Sequence, residues 1–195
     1  MKIFHFDCET TGLDPSKHGI TQLAYILEID GQEVAVGCLY ANPDPCVIDE
    51  KALQVQGITR KELEDRPPAK QMYHKLLDLF DTYVDKFDKT DKFFASGYNV
   101  GFDMNFLRSL FRRFGNNYLG SYFHYPVIDP TALLPWLVRH ALIEMPLNFK
   151  LSSIAEVLDI ALVDAHDAIA DIRATKEISE TCFQRIADYA TQSVK

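Results

Sequence analysis

The chain has 195 residues, 47% of them hydrophobic, 25% charged and 12% aromatic, which excludes a disordered chain. This length suits one domain that buries roughly 70% of the surface its unfolded form would expose. Twenty Lys and Arg against 28 Asp and Glu give a net charge of −8. That balance argues against a basic coat for duplex DNA or an anionic membrane, and leaves room for a polyanion met through cations at a local acidic site.

Residues 2–8, rich in Ile and Phe, read as a strand that ends in the turn chemistry of Thr10-Thr11-Gly12-Leu13-Asp14-Pro15. Residues 20–29 and 33–40 read as two more strands, with Asp30-Gly31 as the hairpin turn between them. From Asp49 the period lengthens. Residues 49–56 read as a short helix stopped by Gly57, and Thr59 with Glu62 makes a capping box for another. Residues 69–87 place Met72, Leu76, Leu79, Phe80 and Val84 on one helical face. Further on, the pattern predicts strands at 93–97 and 127–129 and helices at 102–114, 131–140, 151–158 and 168–190. A three-strand meander followed by helices alternating with short strands predicts a mixed α/β fold, helices packed on a sheet, in a single domain over 1–195.

The cysteines (Cys8, Cys38, Cys46, Cys182) form no CxxC pair, so reduced thiols are expected rather than a disulfide framework or zinc knuckle. Residues 1–7 meet a charge too early for a signal-peptide core, and no apolar stretch approaches the ~20 residues a bilayer needs. A soluble cytoplasmic protein with no membrane partner is expected.

Three acidic clusters stand out. Asp7 and Glu9 are two apart on a strand and share a face, where two carboxylates repel each other unless a cation lies between them. Solvated acids at a strand end are the plainer alternative. Asp103 sits in the first turn of a helix, a place that the helix dipole favours without any function. The third cluster is His166-Asp167-Ala168-Ile169-Ala170-Asp171. There His166 and Asp171 can converge only if His166 precedes the helix; Asp164 or His166 itself is the boundary residue. Jointly the clusters lie at strand ends and helix starts, where α/β sheets gather their ligands. Four carboxylates and one histidine suit two Mg²⁺ or Mn²⁺ ions with an imidazole left as base, and the lack of a His/Cys cluster argues against zinc.

Phe6-Asp7-Cys8-Glu9-Thr10-Thr11-Gly12, Asn99-Val100-Gly101-Phe102-Asp103-Met104-Asn105-Phe106-Leu107 and His166-Asp167-Ala168-Ile169-Ala170-Asp171 closely resemble, in order and spacing, the three motifs of the DEDDh or DnaQ-like 3′–5′ exonucleases. Gln56-Gly57-Ile58-Thr59 and the segment 150–158 are weaker similarities, and Tyr98 departs from the family, many of whose members carry His there. The resemblance implies a ribonuclease-H-like fold and two-metal hydrolysis of phosphodiester bonds from a 3′ end. It implies Asp7, Glu9 and Asp171 on the first metal, Asp7 bridging to the second, Asp103 completing the site and His166 as general base. It further implies Thr10, Thr11, Gly12 and Leu13 around the terminal nucleotide, although Leu13 alone also fits a plain turn after a strand. Asn99 is expected at the substrate too, and Phe102 either stacks on a base or packs in the core.

Single-stranded DNA is the expected partner, with RNA ends or short oligoribonucleotides as the alternative substrate. A catalytically idle module that binds nucleic acid or a protein partner is the alternative of another class. Arg108, Arg112 and Arg113 either steer a strand or form a solvated helix face. The aromatic run from Tyr118 to Tyr125 admits three readings: a homodimer contact, a substrate loop or packing.

Overall fold

A computed structural model of the chain describes residues 1–162 and 168–192. Strands β1 (Lys2–Thr10), β2 (Ile20–Ile29), β3 (Gln32–Tyr40) and β4 (Phe93–Ser96) form one sheet in the order β3-β2-β1-β4. β1 runs antiparallel to β2 and parallel to β4, which makes it an interior strand. Asp30 (φ 51°) and Gly31 (φ 83°) turn the β2–β3 hairpin with two positive φ angles, as a type I′ turn requires.

The helices are α1 (Glu50–Gln56), α2 (Arg60–Glu64), α3 (Ala69–Tyr83), α4 (Val100–Arg113), α5 (Leu134–Arg139), α6 (Leu151–Val157) and α7 (Ala168–Gln192). Asp49 caps α1 through Lys51 N–H at 2.9 Å, and Gly57 closes it at φ 68°. The expected capping box between Thr59 and Glu62 is formed at the start of α2. No helix among the described residues is long and apolar enough to cross a membrane. All four cysteines are free thiols, two of them, Cys8 and Cys182, buried.

Because side chains alternate along β1, its two faces do different work. Phe4, Phe6 and Cys8 enter a core shared with Leu23 and Leu27 of β2 and with α3 and α4. Phe4 is completely buried, ringed by Phe6, Tyr25, Phe80, Phe93 and Phe123 at centroid distances of 5.2–5.9 Å. The opposite face packs Ala24 and Ile26 against Ala168 and Ile172 of α7. A further cluster joins α5, α6 and α7 through Leu134, Leu137, Ile154 and Ile178.

Three expectations need correction. The helix expected over 69–87 ends at Tyr83, because Val84 is extended (φ −129°) and the next turn is held by Asp85 and Asp91 side chains on backbone N–H groups. Residues 127–129 form only a bridge from Ile128 to Ser96, since Pro126 and Pro130 flank the segment without N–H donors. The helix expected over 131–140 splits into a 3₁₀ turn (Pro130–Ala132) and α5, with Pro135 at the second position of α5, where a helix can begin but not continue.

Phe4→Ala should lower folding stability by about 3–5 kcal/mol, the range for truncating a fully buried aromatic ring. Denaturant unfolding that shows a loss under about 1 kcal/mol would contradict the central place given to this ring.

Candidate active site

Asp7 and Glu9 occupy the last turns of the pleat of β1, on the face away from Phe6 and Cys8. Asp103 reaches the same place from α4. Two local features deliver it there. Gly97, between β4 and α4, passes so close to β1 that a Cβ would lie 2.8 Å from the Phe6 carbonyl oxygen. Asn99 then takes a left-handed conformation (φ 58°, ψ 40°), and Asp129 accepts hydrogen bonds from the N–H groups of Asn99 (3.2 Å) and Val100 (3.1 Å). The helix that follows aims Asp103, only 3% exposed, at β1, where its Oδ1 accepts a hydrogen bond from Cys8 N–H at 3.0 Å. The third acid is thereby bonded to the peptide group that separates the first two.

Asp171 comes from the first turn of α7 and lines a cavity of about 140 Å³ together with Asp7, His5, Ser96 and Tyr98. α7 is docked on the sheet by charge as well as by packing. Arg173 grips Glu33 through both guanidinium nitrogens at 2.8 and 3.1 Å, and Lys176 pairs with the buried Glu28. His5 continues this polar layer, 3.6 Å from Glu28 and 3.1 Å from Ser96 Oγ. Burial holds the His5 imidazole below its ordinary pKa, so it is neutral at pH 7.

The acids share one electrostatic field. Burial, then Glu9, then Asp171 push the Asp7 carboxyl up to about 7. Burial, then Asp7, push Asp103 up to about 8 despite the opposing bond from Cys8. Among the described residues, no group of three or more His, Cys, Asp or Glu side chains is drawn tight enough to hold an ion by itself. The donor set nevertheless fits a hard cation: Asp7, Glu9, Asp103 and Asp171 offer carboxylate oxygens only, and burial and the neighbouring acids make Asp7 and Asp103 resist ionisation. His166, with its neighbours Asp164 and Asp167, lies outside the described residues.

A second cavity, about 410 Å³, opens beside Glu9 and is lined by Thr10, Gly12, Leu13 and Phe102. Leu13 is 83% exposed, an apolar side chain held at the cavity mouth. Gly12 allows close approach, since a Cβ there would lie 2.5 Å from the His18 ring. Two more residues expected at the substrate have roles in the fold. Thr11 is fully buried, its hydroxyl bonded to Val47 O and Gly19 N, and Asn99 serves as the turn that starts α4. Sequence reasoning missed the far wall, Lys51, Val55 and Gln56 of α1. The spacing Lys51, Val55 places a valine on the solvent side of a short helix, and it is 78% exposed; that was the available signal. Gln56 ties this wall to β1 by donating to Thr10 O and accepting from Thr21 Oγ1, both at 2.7 Å. Tyr98 donates its hydroxyl to Phe149 O at 2.7 Å, and so presents its ring to the Asp7 cavity. Arg113 binds the carbonyls of Pro15 and His18 and is a structural tie between α4 and the β1–β2 loop.

Residues 4–179 match the family model described as RNase T, exonuclease. The PolC-type DNA polymerase III of Bacillus cereus is 29% identical over 170 residues, covering 87% of this chain and 10% of that protein. Its counterpart in Oceanobacillus iheyensis is 30% identical over 183 residues, covering 94% and 11%. The chain thus spans about a tenth of the length of these relatives. Among solved structures, E. coli exonuclease I in complex with a dA16 oligonucleotide superposes with a TM-score of 0.73 at 23% identity, over 98% of this chain and 43% of that one. The zinc-bound form of the E. coli exonuclease I complex with single-stranded DNA gives 0.76 at 23% identity, over 98% and 43%. These likenesses establish the fold as ribonuclease-H-like.

In the folded protein Asp7 and Asp103 keep a proton at pH values where the unfolded chain has lost it. Their contribution to stability is therefore complete below about pH 4 and is lost as pH rises through about 7 and 8. In EDTA the melting temperature should fall from about pH 5.5 to about pH 8.5, and Mg²⁺ or Mn²⁺ should raise it at the higher pH far more than at the lower. Asp103→Asn should flatten this slope. Equal cation-induced shifts at both pH values in thermal denaturation would contradict the assignment.

Proposed function

This chain belongs to the RNase T exonuclease family, and from that premise we propose that it hydrolyses phosphodiester bonds from the 3′ end of single-stranded DNA. The observation that carries the proposal is the hydrogen bond from Cys8 N–H to Asp103, which sets a third carboxylate against Asp7 and Glu9. Burial and the neighbouring acids raise the pKa of Asp7 and Asp103, an arrangement with no packing purpose, and a site that has no use for cations gains nothing by keeping these acids together. This favours a working enzyme over an idle binding module.

Asp7, Glu9, Asp103 and Asp171 would hold two divalent ions, Mg²⁺ or Mn²⁺. When bound, such ions supply Lewis acidity at the phosphoryl group and neutralise its charge. The residues of the chain supply the rest. The cavity between Leu13, Val55 and Phe102 receives the terminal base, and Thr10 and the bare backbone of Gly12 sit where a 3′ hydroxyl and sugar would lie. His166, whose role comes from the family resemblance, takes the proton of the attacking water on an imidazole nitrogen. The water oxygen bonds to phosphorus as the P–O3′ bond breaks, and the departing O3′ takes a proton from solvent, releasing a nucleoside 5′-monophosphate and a strand shortened by one with a new 3′ hydroxyl. The relatives are DNA polymerases and the fold neighbours hold DNA oligonucleotides, which supports DNA over RNA.

A 5′-labelled 20-mer DNA should shorten stepwise in Mg²⁺ or Mn²⁺, faster than the matched RNA, and EDTA should stop it. Asp7→Ala and Asp171→Ala should nearly abolish the reaction. His166→Ala should lower kcat by about 10²–10⁴-fold, the usual reach of a general base, with KM unchanged. Wild-type turnover in Asp7→Ala, a ladder shortened from the 5′ end, or faster cleavage of RNA would each overturn the corresponding part.

A further inference from the structure

The site described above uses one side of α4. The opposite side borders a groove of about 550 Å³ between this helix and the aromatic run that follows it. Gly101, Asn105 and Arg108 stand at i, i+4 and i+7 and so form one face of α4, turned into the groove. Lys89, Lys92 and Tyr125 line the other wall. From Gly101 to Arg108 the helix rises about 10 Å, so the groove leads away from the turn that carries Asp103. The two concavities adjoin: Phe102 lines the cavity beside Glu9, and its neighbour Gly101 lines the groove.

The charge of this groove runs against that of the chain. Its lining contains no carboxylate. Among the described residues Lys89, Lys92 and Arg108 make no ion pair, unlike Arg173 and Lys176, whose charge is engaged by Glu33 and Glu28. Lys92 donates to the Gly120 carbonyl at 2.6 Å and Arg108 to Asn105 Oδ1 at 2.9 Å, both neutral acceptors. The nearest acids in sequence are turned to other partners, Asp88 to Thr90 and Asp91 to Lys2. Tyr125 is fully exposed, and no Cβ at Gly101 or Gly120 would meet an atom within 4 Å, so the groove is open to a ligand's backbone. Unpaired cations beside an exposed ring are the chemistry that holds a single strand: phosphates on Lys and Arg, a base on the aromatic face.

We propose that this groove carries the substrate strand upstream of the terminal nucleotide, with Lys89, Lys92 and Arg108 on its phosphates and Tyr125 against a base. The proposal rests on the reading of the chain as a nuclease for single-stranded DNA.

The test compares wild type with the triple variant Lys89→Gln, Lys92→Gln, Arg108→Gln on two substrates. One is a DNA 20-mer. The other is the p-nitrophenyl ester of thymidine 5′-monophosphate, a single nucleotide too short to enter the groove. For the 20-mer, KM should rise roughly 10–100-fold and the slope of log affinity against log salt should fall by about 2, as loss of three phosphate contacts to a single strand requires. kcat on the 20-mer and turnover of the ester should stay within about twofold of wild type. A wild-type KM and salt slope in the variant overturns the groove, and so does an equal loss on both substrates. Wild-type protein that cleaves neither substrate overturns the nuclease reading instead. Fluorescence anisotropy with a labelled 20-mer then still decides the groove, by whether the triple variant binds as tightly as wild type.

Discussion

The architecture of the site depends on the hydrogen bond between Cys8 N–H and the carboxylate of Asp103. The Cys8 peptide lies between Asp7 and Glu9, so a bond made there sets a third acid against two others through the backbone. β1 makes this arrangement possible through its period of two. Phe4, Phe6 and Cys8 anchor the strand in an aromatic core, while His5, Asp7 and Glu9 are left for the opposite face. Because Val100, Leu107 and Phe111 of α4 are fully buried in that same core, Asp103 has no freedom to withdraw from the acids it faces.

Such a grouping destabilises the fold locally, and the surroundings show what opposes it. Close-packed rings cannot yield by small amounts, so the core around Phe4 and Phe80 resists the displacement that repulsion among the acids would drive. On the other face, Arg173 and Lys176 bind Glu33 and Glu28 within the next turn and a half beyond Asp171, which keeps the start of α7 on the sheet. The positive charge of Arg173 and Lys176 thus holds the helix that bears the fourth acid. Burial and the neighbouring acids keep Asp7 and Asp103 from ionising, a penalty that a bound divalent cation would remove.

Much of this was legible from the order of residues. The meander, the Asp30-Gly31 turn, the Thr59 capping box and the convergence of Asp7, Asp103 and Asp171 all follow from local patterns and from motif order. Where local patterns failed, proline or a side-chain bond decided the outcome. Pro126 and Pro130 kept residues 127–129 from becoming a strand, and Asp85 and Asp91 closed the turn that ends α3 early. Asn99 and Thr11 sit inside motifs but serve the backbone, which no motif can distinguish from contact with substrate. One stronger signal for Asp103 went unused. It falls on the stripe Asp103, Phe106, Leu107 and Leu110, so it was readable as a carboxylate on the apolar face of a helix and not only as an acid favoured by the helix dipole. Arg108 and the run from Tyr118 to Tyr125 were each readable as substrate contacts, but their meeting with Lys89 and Lys92 in one groove was not, since it comes only through the packing of separate segments.

A net charge of −8 suggests poor affinity for any polyanion, yet binding depends on where charge lies and not on its sum. α4 sorts the charge. At about 100° per residue, consecutive positions 101, 102 and 103 point in three directions, so one helical turn borders the outer groove, the cavity beside Glu9 and the buried acids. The buried direction carries the carboxylate; the outer direction carries Arg108 and faces Lys89 and Lys92. A strand laid along the outer face would meet positive charge until its last nucleotide turned past Gly101 toward Glu9. There the field reverses, and only a phosphate accompanied by cations could stay. An acidic protein can in this way favour the end of a strand over its length, because the reversal occurs at a single turn of one helix.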